Sequence, residues 1–293
     1  QTPELNEPDN NTIFTVSTLE FNWSNTTDIE SDVLNYYLEI DNDIDFSSVY
    51  YANTSITEKA NTTSDIATLS DGNFYWRVLA TDNSDNSSWS EIRKVSVDIT
   101  SPDITNLQKT PSESYNNDSV YINATVTDSV ELESVWIESN HNGSLENYSS
   151  FAGEVSSDGS VYYYIISSGN FSNQQTINYT WYANDSVGHV NVSDLQSFIV
   201  VNRQAGVPNI TAPVNNTYQI YDRATNFSWE NATDDDFDTP INFQFQLYNS
   251  IEANDTYLVK NITIDDLNYT LPANEMPPVG MHYWRVRSFD TYN

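Results

Sequence analysis

The chain contains no cysteine, two methionines and eight glycines, and it sets only ten Lys plus Arg against forty-two Asp plus Glu. Without cysteine there is no disulfide framework and no thiolate metal site, so each core must hold by packing alone. A formal charge of −32 repels nucleic acid and anionic membrane, and it makes cations the natural counter-ligands. The same charge also describes a solvated surface that keeps the protein soluble. No run of eighteen apolar residues exists, and the opening stretch, QTPELNEPDNN, has neither a basic nor an apolar leader segment. The expectation is an exported protein in mature or excerpted form, without direct membrane insertion in this segment. Catalytic signatures are missing too. His141, His189 and His282 are scattered, no nucleophile elbow, zinc spacing or phosphate loop accompanies them, and nothing singles out a carboxylate pair for glycoside hydrolysis. The chain is expected not to be an enzyme and to carry no cofactor other than a structural calcium ion.

Asparagine is abundant and patterned. Thirty-seven Asn and sixty-three Ser plus Thr would place about eight N-x-[ST] triplets by chance, yet twenty-one are present. They begin at Asn10, Asn22, Asn25, Asn53, Asn61, Asn86 and Asn117. They continue at Asn123, Asn142, Asn147, Asn170, Asn178, Asn184 and Asn191, and then at Asn209, Asn215, Asn226, Asn231, Asn254, Asn261 and Asn268. Turn chemistry alone generates some such triplets. Strand parity supplies a sharper sign. In SVYINATV the apolar set is Val120, Ile122, Ala124 and Val126, which turns Asn123 to the opposite face. In TINYTWYAN the inward set of Ile177, Tyr179 and Trp181 turns Asn178 outward, and Asn22 and Asn226 alternate with Phe21/Trp23 and Phe227/Trp229. The excess predicts dense N-glycosylation, with covalent glycans and an extracellular, cell-surface location.

β-Branched and aromatic runs with alternation recur about every ten residues, separated by Asn, Asp, Gly and Ser, and helical periodicity is nearly absent. The fold class is therefore all-β. One phrase occurs twice, FYWRVLATD at 74–82 and HYWRVRSFD at 282–290, and Phe21-x-Trp23 matches Phe227-x-Trp229. Trp23 to Trp76 spans fifty-three residues and Trp229 to Trp284 spans fifty-five, so only loops differ between the copies. The predicted domains are 1–100, 101–203 and 204–293. The linker VDITSPD at 97–103 carries Pro102 and reads as semi-rigid. The linker VNRQAGVPN, with Gly206 before Pro208, reads as freer.

A Trp on the second strand, then Leu69, Gly72, FYWRVLATDN and SSWSEIRKVSVD, resembles a fibronectin type III domain of prokaryotic surface proteins and secreted enzymes. The third segment shares that resemblance. The middle one, with NATVTDSVELESVWIE and YTWYANDSVGHVNVS, is similar to the Ig-like modules of bacterial and archaeal surface proteins. Sugar triplets, lack of cysteine and acidity together are similar to archaeal envelope or surface-layer proteins. Such modules imply tandem Ig-like/fibronectin type III β-sandwiches, but they serve as spacers, adhesins, lattice subunits and enzyme appendages alike.

In an Ig-like sandwich the second and sixth strands end at the pole that faces the preceding domain. Asp128 and Asp185 close those two strands, and Asp98 and Asp103 flank the arriving linker. Four carboxylates at one junction would repel unless a cation joined them, and Ca²⁺ takes six to eight oxygens in flexible geometry. The competing reading is that these residues cap turns while water screens them. Asp234, Asp235, Asp236 and Asp290 repeat the pattern weakly in the third domain. Twenty Tyr and seven Trp raise a carbohydrate-binding face as an alternative, although Trp23, Trp76, Trp181, Trp229 and Trp284 fall at inward parity.

The second copy of the phrase lacks the strand that follows the first, so the third sandwich is expected to be incomplete. Its last strand is either missing from this section of a longer chain or supplied elsewhere, as in donor-strand assembly. The combined expectation is a non-catalytic module array of a glycosylated extracellular assembly, a surface layer, sheath or filament. Its partners would be other copies of itself or other envelope proteins. The alternatives are an adhesin or carbohydrate-binding stalk, or the non-catalytic appendage of a secreted enzyme.

Overall fold

The period-two alternation becomes strand along the whole chain, and the two faces separate as the parity requires. The computed structural model describes all residues except 28–33, 83, 220–222, 235–240 and 291–293. The described residues form β-strands and two short 3₁₀ turns, Asp255–Tyr257 and Ala273–Glu275, with no α-helix. No helix among them is long and apolar enough to cross a membrane. The fold is all-β, a tandem of β-sandwiches with three separate cores.

In the first sandwich, Glu4–Glu7, Thr18–Ser24 and Thr62–Thr68 form one sheet. The facing sheet runs in the order Thr12–Phe14, Arg93–Val97, Gly72–Thr81, Asn35–Asp41, Tyr51–Thr57. Phe21 and Trp23 of one sheet and Tyr36 and Trp76 of the other are fully buried. Phe21 meets Trp76 edge-on at 5.1 Å, and Trp23 meets Tyr36 at 5.6 Å, so both contacts tie sheet to sheet. Each such pair adds about 0.5–1.5 kcal/mol beyond the area it buries. On the outer face of Gly72–Thr81, Tyr75 and Arg77 are partly exposed. Arg77 binds Glu39 at 2.8 Å and lies over the rings of Phe46 and Trp89.

The second sandwich faces the sheet Ser156–Asp158, Val161–Ile166, Val120–Thr127, Asp103–Thr110 against one ordered Ser114–Tyr115, Gln196–Val201, Thr176–Asp185, Leu132–Ser139, Glu146–Ser149. Val190–Val192 also pairs with Thr176–Asp185. Val120, Ile122, Ala124, Ile177 and Trp181 are fully buried, which leaves Asn123 and Asn178 on the outer faces.

The third sandwich repeats the first down to its ring contacts. Phe227 meets Trp284 at 5.1 Å and Trp229 meets Phe243 at 5.7 Å. Its sheets are Ile210–Ala212, Thr225–Trp229, Asn268–Leu271 and Leu258–Ile264, Asn242–Tyr248, Tyr283–Phe289. One difference follows from pairing. Gly72–Thr81 is paired on both sides, whereas Tyr283–Phe289 pairs, among the described residues, with Asn242–Tyr248 alone. Trp284 is accordingly only partly buried where Trp76 is fully so.

That contrast sets an expected order of losses. Trp76→Ala should cost about 3–5 kcal/mol of unfolding free energy, the usual range for a fully buried aromatic. Trp284→Ala should cost clearly less. Calorimetry of the two variants checks this, and equal losses would contradict the difference in packing.

Candidate functional site

The described residues contain one cluster of metal-competent side chains, Asp98, Asp185 and His189, whose ligand atoms all lie within 4.8 Å of one another. It sits where the first two sandwiches meet. Asp98 follows the last strand of the first sandwich, Arg93–Val97, and its amide donates to the Phe14 carbonyl at 2.8 Å, so the first sandwich carries it. Asp185 closes Thr176–Asp185 of the second sandwich, and the next turn brings His189 back over it. Gly188, at φ +98°, permits that turn. The amides of Val187, Gly188 and His189 donate to Asp185 Oδ1 at 3.0, 2.7 and 2.9 Å. His189 Nδ1 lies 2.9 Å from Asp185 Oδ2 and 3.7 Å from Asp98 Oδ1.

The two buried carboxylates are held differently. Burial alone would push the Asp185 carboxyl up, but the hydrogen bonds from His189, Val187 and Gly188 outweigh it and hold the group below the usual carboxylate range. Asp98 has no such support. It is fully buried, and neither of its carboxylate oxygens accepts a hydrogen bond. Burial, then the charges of Asp185, Asp128 and Asp71, push its carboxyl up, with His189 opposing. Two carboxylates this close repel by about 3 kcal/mol at an effective dielectric near 20.

Around the pair the junction is strapped by further hydrogen bonds. Asp71, in the turn before Gly72–Thr81, accepts from the Ile99 amide at 2.7 Å and the Thr100 hydroxyl at 3.0 Å. It also accepts from the Ser129 hydroxyl of the second sandwich. Asn191 Nδ2 donates to the Pro102 carbonyl at 2.7 Å. Asp128 accepts from the Val130 and Glu131 amides through Oδ1, and its Oδ2 is buried without a hydrogen-bond partner.

Of the four aspartates read from the sequence, the structure brings Asp98, Asp128 and Asp185 to this pole. Asp103 is left out. It opens Asp103–Thr110 opposite Thr127, and the parity that packs Ile104 on the core sends Asp103 to solvent. Sequence reasoning missed His189 and Asp71. The four-residue return from Asp185 to His189 was a usable signal; Asp71 enters only through the topology. The other two histidines are remote from this pole. His141 is buried beside the rings of Tyr148 and Tyr164, and His282 lies 3.2 Å from the Gly280 carbonyl. Asp235 and Asp236 lie outside the described residues.

The second junction solves the same problem with an amide. Asn202 follows Gln196–Val201 as Asp98 follows Arg93–Val97. Its Nδ2 donates at 3.0 Å to Oδ2 of buried Asp290, and its Oδ1 accepts from Asn173 at 3.1 Å. The linker beyond is also pinned, against the expectation of freedom. The Gly206 amide donates to the Thr233 carbonyl at 2.7 Å, its carbonyl accepts from the Ser288 hydroxyl, and a Cβ there would meet Thr233 Oγ1 at 2.9 Å. Arg203 binds Asp118 at 3.2 Å and lies over Tyr115.

No protein-family profile matches the chain, and no curated protein sequence matches it. Among solved structures, the chain is similar to the FN1–FN3 domains of chicken CNTN1, at 10% identity and a TM-score of 0.42, covering 100% of this chain and 94% of that one. It is similar to fibronectin(III)-like modules of Clostridium thermocellum CbhA, at 17% identity and a TM-score of 0.27, covering 68% of this chain and 94% of that one. Titin domains A168–A170 align at 11% identity and a TM-score of 0.29, covering 99% and 94%.

Asn202→Asp should recreate at the second junction the carboxylate opposition of the first. With chelator present to exclude stray cations, it should cost about 2 kcal/mol, the range for breaking a buried hydrogen bond to a charged group. Calorimetry of the third sandwich's transition reads the loss, and an unchanged transition would contradict the assigned role of Asn202.

Proposed function

We propose that the chain is a non-catalytic structural array of a glycosylated extracellular assembly, a surface layer, sheath or filament, and that its partners are further copies of itself or other envelope proteins. One observation carries this reading. All twenty-one acceptor asparagines stand at exposed or partly exposed positions, on loops and on the outer faces of both sheets. Polar parity alone accounts for some outward placement, but the number of triplets is well above the roughly eight expected by chance. Glycans on both outer faces would hydrate each sandwich and block face-to-face stacking, so copies would meet through ends and edges. Strapped junctions suit a module that transmits force along its length.

A second reading has its own observation. On the outer face of the second sandwich Trp136 and Tyr182 stack at 5.3 Å and 5°, beside Phe151, which is 95% exposed, with Glu133 and Asn184 alongside. Sugar rings stack on such faces, and this favours a carbohydrate-binding stalk.

The test is electron microscopy of the native material together with glycopeptide mass spectrometry. The proposal expects a periodic assembly and sugar on most of the acceptor sites in the strands and loops. Bare asparagines in native material, or a dispersed monomer that binds a defined glycan and loses it on Trp136→Ala, would overturn it in favour of the second reading.

A further inference from the structure

At the first junction the free lone pairs converge while the donors are already spent. Asp185 Oδ1 is filled by three amides, and Asp128 Oδ1 by two. His189 Nδ1 is engaged at 2.9 Å with Asp185 Oδ2. What stays unsatisfied is oxygen: both atoms of fully buried Asp98, and Asp128 Oδ2. A buried carboxylate without a hydrogen bond is a costly feature to retain in a protein that satisfies the equivalent place elsewhere with Asn202.

We propose that one hard divalent cation, of calcium's size and ligand preference, binds between the first and second sandwiches on the two open oxygens of Asp98 and on Oδ2 of Asp185, which His189 occupies with a single bond, with Asp128 Oδ2 contributing from the rim. The assignment to oxygen chemistry follows from the donor inventory. Thiolates are absent from the chain, and the one imidazole turns its Nδ1 to Asp185, so the unsatisfied atoms at the junction are carboxylate oxygens, which select hard cations. Calcium tolerates an irregular shell, whereas Mg²⁺ demands near-ideal octahedral geometry. Asp98 is carried by the first sandwich and Asp185 by the second, so the ion cross-links them. At the second junction the described residues bond amide to carboxylate, so on this proposal it needs no cation. The array thus has one junction whose stiffness follows the surrounding calcium and one whose stiffness does not. This inference rests on the junction geometry and holds whether the array builds a layer or a binding stalk.

The test uses the full chain, stripped with chelator and titrated separately with CaCl₂, MgCl₂ and ZnCl₂ by isothermal titration and scanning calorimetry. Calcium should bind with a dissociation constant of about 10⁻⁴–10⁻³ M, the range of extracellular modules. At a hundred-fold excess over that constant it should raise the transition of the linked sandwiches by about 5–10 °C. Asp98→Asn should abolish that rise and, in chelator, melt above the parent protein, because an amide there can donate to Asp185 as Asn202 donates to Asp290. Asp128→Asn should weaken calcium about ten-fold, and Asp103→Asn should leave it unchanged. The proposal is overturned by identical melting in calcium and chelator, or by a calcium response that survives Asp98→Asn. It is overturned equally by Asp98→Asn melting below the parent in chelator, or by zinc binding that needs His189 and not Asp98.

Discussion

The first and third sandwiches stand on one interaction, the interlock of aromatic rings from two facing sheets. With no disulfide available, packing alone ties sheet to sheet, and the pairs Phe21–Trp76 and Phe227–Trp284 meet at the same 5.1 Å in the two copies. The interlock requires a period of two along every inner strand. The same period delivers an outer row in which Asn, Ser, Thr and Tyr are free to vary and Asn-x-Ser/Thr triplets cost nothing in packing. The core and the placement of the Asn-x-Ser/Thr triplets are therefore two faces of one constraint. Even the indoles obey it: Trp23, Trp76, Trp181 and Trp229 bury their N–H groups without a hydrogen-bond partner, so these residues are kept for area and shape.

That constraint explains what could be read from the chain before any coordinates. Alternation around Trp23, Trp181 and Trp229 assigns strands and inward faces directly, because side-chain direction is a local property. The duplication of Phe-x-Trp and Tyr-Trp-Arg-Val defines the repeat. The poles were harder to read. Asp98, Asp128 and Asp185 are legible because strand ends in a sandwich fall at known poles, whereas Asp103 flanks the linker as its position implies but turns to solvent, because Ile104 packs on the core. Asp71 comes from a turn twenty-six residues before the linker, and only the finished topology brings it there. The freedom expected of the second linker failed for a related reason: Gly206 marks a close approach to Thr233, and sequence alone does not distinguish a hinge from a tight fit.

The two junctions show how one position tunes an array. A residue directly after the last strand meets an aspartate of the next sandwich in both places. As Asn202 it gives a neutral amide bonded to Asp290; as Asp98 it gives two opposed carboxylates. The surrounding straps, Asp71 to Ser129 and Asn191 to Pro102, keep the first junction closed around that opposition. In a chain of net charge −32, local neutralisation of one such pair is a small change in total charge and removes a local repulsion of about 3 kcal/mol.

The central claim, that charge at Asp98 governs the relative setting of the first two sandwiches, is tested most directly by a distance distribution across the junction. The chain has no native cysteine, so spin labels on Glu20→Cys and Ser157→Cys report it without interference. The account predicts a distribution that is narrow in calcium and broad in chelator, and narrow in both when Asp98→Asn is added. A distribution of one width in all four conditions would contradict it.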